Sequence, residues 1–338
     1  MAKSYLLKLV EEEAQVALTK NEFFPLLVVV FGIACGGSPP TEKPTVRFVG
    51  DYLGRTPPGL VAEVFDDGEL TGDTRLFNIA FSPASDELFF SYNKGTPEGT
   101  GPDYEIRHMK RVGDEWSEPE TAWFSGIYSD CDLTFSPDGN LVFFASELRP
   151  HPVTGSQMDI YYLERTEHGW SEPIHAGTEV NTEHGEVHAS LSADGNLFFR
   201  SGRPGGYGHA DIWRAELVDG EFVNVQNLGP AVNTEFMETD CFIAPDESYL
   251  LFNTIRPEHG EKPQIYVSFK TDDGQWTTGM SLGPAINCEA GSMGSMVSPD
   301  GKYLFFKSRC SGERVVHWVS TEVIHRLKDE AIRQSEHL

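Results

Sequence analysis

The sequence predicts an all-β fold, and three observations carry that prediction. A core made of an apolar residue, Ser-Pro-Asp-Gly and a hydrophobic strand ending near Phe-Phe-x-Ser recurs five times, with the four turn residues complete at 136–139 and 298–301 and varied in the other copies. Counted at its Ser position (82, 136, 192, 244 and 298), the copies stand 54, 56, 52 and 54 residues apart. The 338 residues include 33 Gly, 21 Pro, 22 Phe and 11 Tyr, a composition of short strands and turns rather than of a helical bundle. A period of this size with strand signals means a propeller blade or a solenoid turn. The reading is a five-bladed β-propeller of four-stranded antiparallel blades, with residues 59–321 divided by five giving about 53 per blade. Six blades, the alternative, would need about 44 residues each and a sixth core.

Residues 1–35 read as a lipoprotein-type signal peptide. Phe23 to Cys35 is an apolar run interrupted only by Pro25, too short to span a bilayer but long enough for a signal-peptide core. Gly32-Ile33-Ala34 places small residues before Cys35, the expected lipidation site and mature N-terminus. A buried strand or an uncleaved anchor is the competing reading. Removing residues 1–34 takes away three Lys and four Glu, so the charge goes from −26 to −25. With nothing basic to hold an anionic surface, membrane attachment would rest on the lipid alone. Residues 36–58, opening on Gly36-Gly37-Ser38-Pro39-Pro40, read as a flexible tether.

Within 59–321 each unit offers four strands. Strand A ends at the Ser position, and the Asp-Gly pair that follows closes a tight hairpin because it tolerates positive φ. Strand B is the Leu/Val/Phe run. Strand C covers Tyr104–Met109, Asp159–Leu163, Asp211–Ala215, Gln264–Phe269 and Val315–Ser320. Strand D surrounds Trp116, Trp170, Phe222 and Trp276, with Ser-Glu-Pro after the first two, which suits an edge. The fifth unit lacks a strand D, and Leu60–Phe65 is expected to supply it, closing the ring with the N-terminal segment. Residues 322–338 carry Val323, Ile324, Leu327 and Ala331 at near-helical spacing and predict a short C-terminal helix.

The repeated Ser-Pro-Asp-Gly-x-x-Leu-Phe-Phe-x-Ser core, Asp211-Ile212-Trp213, Ser201-Gly-Arg203-Pro-Gly-Gly-Tyr-Gly208 and the closing Trp318-Val319-Ser320 resemble the WD-repeat-like propellers of TolB-type periplasmic proteins. The resemblance covers about 260 residues. It implies the propeller fold and a periplasmic setting, anchored to the outer membrane through Cys35, secreted or surface-exposed. It implies no particular ligand, since many roles share the fold.

Candidate chemistry gathers at the start of strand A, where the long B–C loops make one face, here called upper, the expected binding side. Four residues before the Ser position stand Asn78, Asp132, His188, Asp240 and Gly294. Six before it stand Leu76, Asp130, Glu186, Glu238 and Ser292. In a strand i and i+2 face the same way, so blades 2 to 4 are expected to aim Asp130/Asp132, Glu186/His188 and Glu238/Asp240 at the channel mouth. Asn78, Asp132, Glu186, His188, Glu238 and Asp240 are the expected ligand-binding set. A solvated acidic rim is the bland alternative. Asp132, Glu186, His188 and Asp240 would suit a hard cation such as Ca²⁺, and His184-Gly-Glu186-Val-His188 is a weaker transition-metal pattern. Asp130, Asp132, Glu186, Glu238 and Asp240 would also supply the paired carboxylates of a glycoside hydrolase.

Arg149, Arg203, Arg256 and Arg309 open the B–C loops and are expected to tie loop to strand, beside strand C acids such as Asp159 and Asp211. Asn181, Asn233 and Asn287 recur as turn residues. Cys131 and Cys241 read as core residues, while Cys288 and Cys310, both on the upper face, are expected to form a disulfide in an oxidising compartment. The net charge of −26 excludes nucleic acid as a partner. Serine-hydrolase elbows, phosphate loops, paired Cys-x-x-Cys and dinucleotide fingerprints are missing from the sequence. The expected function is a monomeric envelope binding or scaffold module for a protein, peptide or glycan, with a carbohydrate-active enzyme as the alternative.

Overall fold

The computed structural model describes residues 47–95, 103–147, 149 and 158–335. The signal peptide, Cys35 and the first part of the tether (36–46) lie outside the described residues. Five antiparallel sheets form the five blades. Strand A is Leu76–Phe81, Ser129–Phe135, Glu186–Leu191, Met237–Ile243 and Ser292–Val297 in blades 1 to 5. Strand B is Glu87–Asn93, Leu141–Glu147, Asn196–Ser201, Tyr249–Ile255 and Tyr303–Ser308. Strand C is Tyr104–Val112, Met158–Thr166, Asp211–Val218, Pro263–Phe269 and Val315–Ser320.

Proline shapes the outer strands. In blades 1 and 2 strand D is split into Glu115–Trp116 with Glu120–Thr121 and Gly169–Trp170 with Ile174–His175. Each break falls at Ser-Glu-Pro, where Pro119 or Pro173 has no N–H for the ladder. Blade 3 has no such proline and keeps an unbroken Glu221–Asn227; blade 4 contributes Met280–Ser281. Blade 5 takes its outer strand from the N-terminal side: Glu63–Asp66 pairs antiparallel with Val315–Ser320 in the register Glu63↔Trp318 and Val64↔His317. The ring is thus closed by a strand from the other end of the chain.

The Phe-Phe pair of strand B explains why the blades cohere. Neighbouring residues on a strand face opposite ways, so each pair fills both gaps beside its blade. Phe89 and Phe144 share the cluster between blades 1 and 2, and Phe143 and Phe199 the next. Phe198 with Phe252, Leu251 with Phe306, and Phe305 with Phe90 fill the other three gaps. Three residues past the Ser position all five A–B hairpins need positive φ: Gly139, Gly195 and Gly301 supply it easily, Ser85 and Glu247 (both φ 56°) less so. The short helices Glu322–His325 and Lys328–Ser335 bury Ile324 and Ala331 against blades 4 and 5.

The tether is shorter than its composition implies. Phe48 and Leu53 are buried, and Tyr52 packs edge-on against Phe81 and Tyr303. Trp116 donates from its backbone N–H to the Phe48 carbonyl (3.0 Å) and from its indole to Gly50 (2.9 Å). Residues 48–54 therefore belong to the folded body. The apolar spacing of Phe48, Tyr52 and Leu53 is the signal that the surrounding polar and proline-rich composition obscures.

Candidate functional site

Strand A is not regular. In every blade its register against strand B slips by one residue, between positions such as Val187 and Ser190 in blade 3 or Thr239 and Phe242 in blade 4. The same bulge occurs in blades 1, 2 and 5. At its centre Asp132 (φ 58°), His188 (φ 57°), Asp240 (φ 50°) and Gly294 (φ 67°) adopt left-handed backbone. A bulge adds one residue to one strand, so the two-residue alternation breaks there. The acids on either side of it consequently point in different directions, and the expected pairing at the channel mouth does not form.

Asp130, Glu186 and Glu238, the residues six before the Ser position, turn into the blade and are 0% exposed. Glu186 accepts the Thr182 backbone N–H (2.6 Å) and hydroxyl (2.7 Å) and the Ser201 hydroxyl (2.6 Å), with Arg203 at 3.5 Å. Glu238 does the same with Thr234 (2.8 and 2.6 Å) and Thr254 (3.0 Å). Asp130 accepts from Ser146 (2.5 Å) and Arg149 (3.2 Å). Burial pushes the Asp130 and Glu238 carboxyls up, and these hydrogen bonds offset part of that rise. Each acid clamps the top of strand A to the end of strand B, and in blades 3 and 4 to the incoming loop as well. They are structural fasteners rather than channel-lining acids.

Blade 5 builds the same fastening covalently. There Cys288 stands where blades 3 and 4 have Thr182 and Thr234, and Ser292 replaces the Glu. Cys288 is bonded to Cys310 just beyond strand B, with Cα atoms 5.6 Å apart. The remaining cysteines, Cys131 and Cys241, are free and buried, and burial pushes both thiols up.

The residues four before the Ser position do converge. Asn78, Asp132, His188, Asp240 and Gly294 line the upper mouth. His188 Nε2 lies 2.9 Å from Asp132 Oδ2 and 2.6 Å from Asp240 Oδ1, and Nδ1 lies 3.0 Å from the Thr239 hydroxyl. Burial alone would depress the imidazole; the two carboxylates outweigh it and push His188 up to about 10, so it is an imidazolium at neutral pH. Burial likewise opposes ionisation of Asp240, but His188, the Gly294 N–H (3.2 Å) and nearby Arg200 hold that carboxyl below its usual range.

Further bonds continue this belt between blades. Asn78 donates to the Leu133 carbonyl (3.1 Å), the Asp132 N–H donates to Ser91 (3.1 Å), and the Cys241 thiol donates to the His188 carbonyl (2.9 Å). Lys307 of blade 5 reaches the Leu76 carbonyl of blade 1. The space left among these residues is about 20 Å³, room for roughly one water.

This donor set does not fit the expected Ca²⁺ site. Glu186 is engaged inside blade 3, and the gap between Asp132 and Asp240 is filled by a cationic ring. Among the described residues no group of three or more His, Cys, Asp or Glu is arranged to hold a metal ion. His184 stands apart, 3.8 Å from Glu183.

The repeated Arg and Asn residues also take roles different in detail from those expected. Arg149 and Arg203 join loop to strand A acids and to backbone carbonyls. Arg256 donates to Thr254, and Arg309 is exposed. Asn181, Asn233 and Asn287 each use both amide atoms on one residue of strand C: Ile160, Ile212 and Ile265. Each also closes the expected turn, its backbone N–H donating to Gly177 (2.9 Å), Gly229 (2.9 Å) or Gly283 (2.8 Å), so the side chain clips that turn to the strand.

At the opposite end the channel widens into a pocket of about 300 Å³ lined by Phe81, Phe135, Phe242, Met296 and the prolines of the A–B turns. Sequence reasoning passed over this end because its short turns look like mere connections.

No protein-family model matches the chain, and no curated protein matches it. Among solved structures it is similar to a putative TolB from Agrobacterium tumefaciens, with 17% identity, 74% of this chain and 78% of that one covered, and a TM-score of 0.49. It is also similar to an endo-arabinase from Bacteroides thetaiotaomicron, with 14% identity, 73% and 92% covered, and a TM-score of 0.45. A third is a hydrazine synthase from Kuenenia stuttgartiensis, with 15% identity, 78% and 82% covered, and a TM-score of 0.44. At these identities the likeness concerns the fold alone.

Proposed function

We propose that this chain is a lipid-anchored protein of a bacterial cell envelope whose propeller is a non-catalytic binding module for a protein, peptide or glycan. The observation that carries the reading is the fate of the upper acids. Glycoside hydrolysis needs one carboxyl to donate a proton and another free to attack or to activate water. Here Asp130, Glu186 and Glu238 are buried in clamps, and Asp132 and Asp240 are both engaged by the one His188 ring. The Cys288–Cys310 bond supports an oxidising compartment, in keeping with the signal-like segment ending at Cys35.

A glycan panel read by calorimetry and by a reducing-sugar assay tests the reading. No turnover of any glycan is expected, whether or not one binds. Turnover that disappears in Glu186→Gln or Asp240→Asn while the melting temperature is kept would overturn it. Mass spectrometry of the mature N-terminus is expected to find Cys35 acylated, and an unmodified N-terminus would remove the anchor.

A further inference from the structure

The lower pocket is a blind funnel. Its inner end stops at the belt of His188, Asp132 and Asp240, where only about 20 Å³ remains, so an occupant enters from below and does not pass through. Phe81, Phe135, Phe242 and Met296 make the wall apolar. The lip is Pro83, Pro137, Pro245 and Pro299, one from each of four blades. A volume of about 300 Å³ lies at the small end of ligand-pocket sizes and suits one or two large side chains. Near the inner end the Thr134 hydroxyl has, among the described residues, only the Met296 sulfur as partner, at 3.7 Å, a weak acceptor that a ligand polar group would readily replace.

The charge around the lip is unusual for an apolar pocket. Each A–B turn carries one exposed carboxylate: Asp86, Asp138, Asp194, Asp246 and Asp300. Of the five, only Asp300 has a Lys or Arg within ion-pair distance among the described residues, Lys302 at 3.1 Å. Lys328 acts on Asp246 from the C-terminal helix, so Asp86, Asp138 and Asp194 are left as exposed carboxylates on the turns beside an opening whose walls are mostly apolar, with Thr134, Ser136, Ser190 and Ser298 among them. An apolar group would gain by burial, and cations beside it would gain from the ring. One small amphiphilic amine would meet a single carboxylate, whereas a chain with several cationic side chains would meet several.

From this juxtaposition we infer that the lower funnel is a docking site for a peptide segment of a partner protein in which a large apolar side chain is flanked by Lys or Arg. The apolar side chain fills the funnel as a plug, and its basic neighbours lie against the Asp ring. The inference rests on the binding-module reading and specifies its site and partner chemistry. It moves the contact to the face opposite the long B–C loops.

Fluorescence anisotropy on the full chain tests it, with labelled Lys-Arg-Trp-Arg-Lys as the probe. The expected result is saturable binding that weakens as salt is raised, and tenfold or more on replacing the probe's Trp by Ala or its basic residues by Glu. Asp138→Asn/Asp194→Asn/Asp246→Asn keeps an acceptor in each turn and is expected to weaken binding at least tenfold without lowering the melting temperature. Thr134→Phe, which fills the funnel, is expected to abolish binding. Equal binding of the Ala or Glu probes, no binding of the Trp probe, or binding unmoved by the folded triple variant would overturn the assignment. Those failures leave the binding-module reading standing, because only the turnover assay above decides it.

Discussion

The two ends of one channel use charge in opposite ways. At the upper end the acids differ from blade to blade, and nearly all are consumed: three close the tops of their own blades, and two hold an imidazolium between neighbouring blades. At the lower end an Asp stands two residues past the Ser position in blades 2 to 5, and blade 1 carries Asp86 two residues further on, all exposed beside an open, mostly apolar pocket. Irregularity among repeats therefore need not mark a site. Here it marks how a ring of unequal blades is stapled together, while the monotonous end keeps its surface free.

Substitutions sharpen that contrast, and the largest effect should come from His188. His188→Ala leaves two buried carboxylates facing each other without their cation. Uncompensated burial of this kind costs about 3–5 kcal/mol, measurable by denaturant unfolding. The pH dependence has a definite sign. Below pH 6.5 the ring is charged in folded and unfolded chains alike; above it the folded protein keeps a proton that the unfolded chain has shed. Stability should thus fall as pH rises from 6.5 towards about 10, by up to about 1.4 kcal/mol per unit, and His188→Ala should flatten that limb.

Next comes the covalent clamp of blade 5. Cys288→Ala/Cys310→Ala opens a link across 22 residues and should cost about 3 kcal/mol. Cys288→Thr/Ser292→Glu/Cys310→Ala, which rebuilds the hydrogen-bonded clamp of blades 3 and 4, should recover part of the loss. No recovery would mean that the two devices are not equivalent. A smaller effect, about 1–3 kcal/mol, is expected for Glu186→Ala, because the buried Ser201 hydroxyl and the half-buried Thr182 N–H lose their acceptor. The smallest belongs to the lower rim: Asp138→Asn keeps an acceptor for Ser136 and Asn140, so stability should change by less than about 0.5 kcal/mol. A large loss there would place structural work at the end described as free.

The ring, its five blades and its closure by the N-terminal strand are legible in the sequence because the Ser-Pro-Asp-Gly core repeats and Phe-Phe pairs mark strands buried on both faces. The upper mouth is only half legible. Asn78, Asp132, His188, Asp240 and Gly294 do line it, but Asp130, Glu186 and Glu238 do not, since one inserted residue reverses the direction of everything beyond it. In blades 2 to 5 that bulge has a signature: the Asp, His, Asp and Gly at its centre are all residue types enriched in left-handed backbone. The clamps have one too, in Asn-Thr-x-x-x-Glu at Asn181 and again at Asn233. The funnel has none, because proline and aspartate at a hairpin already have a sufficient local reason.

The protonation state of His188 tests most directly the claim that the upper acids hold the ring together. Nitrogen chemical shifts of the His188 imidazole, followed by NMR from pH 5 to 9, should show both ring nitrogens protonated at pH 8. A neutral ring there, titrating near 6.5, would mean that Asp132 and Asp240 are free of it, and the mouth would again be an open acidic site.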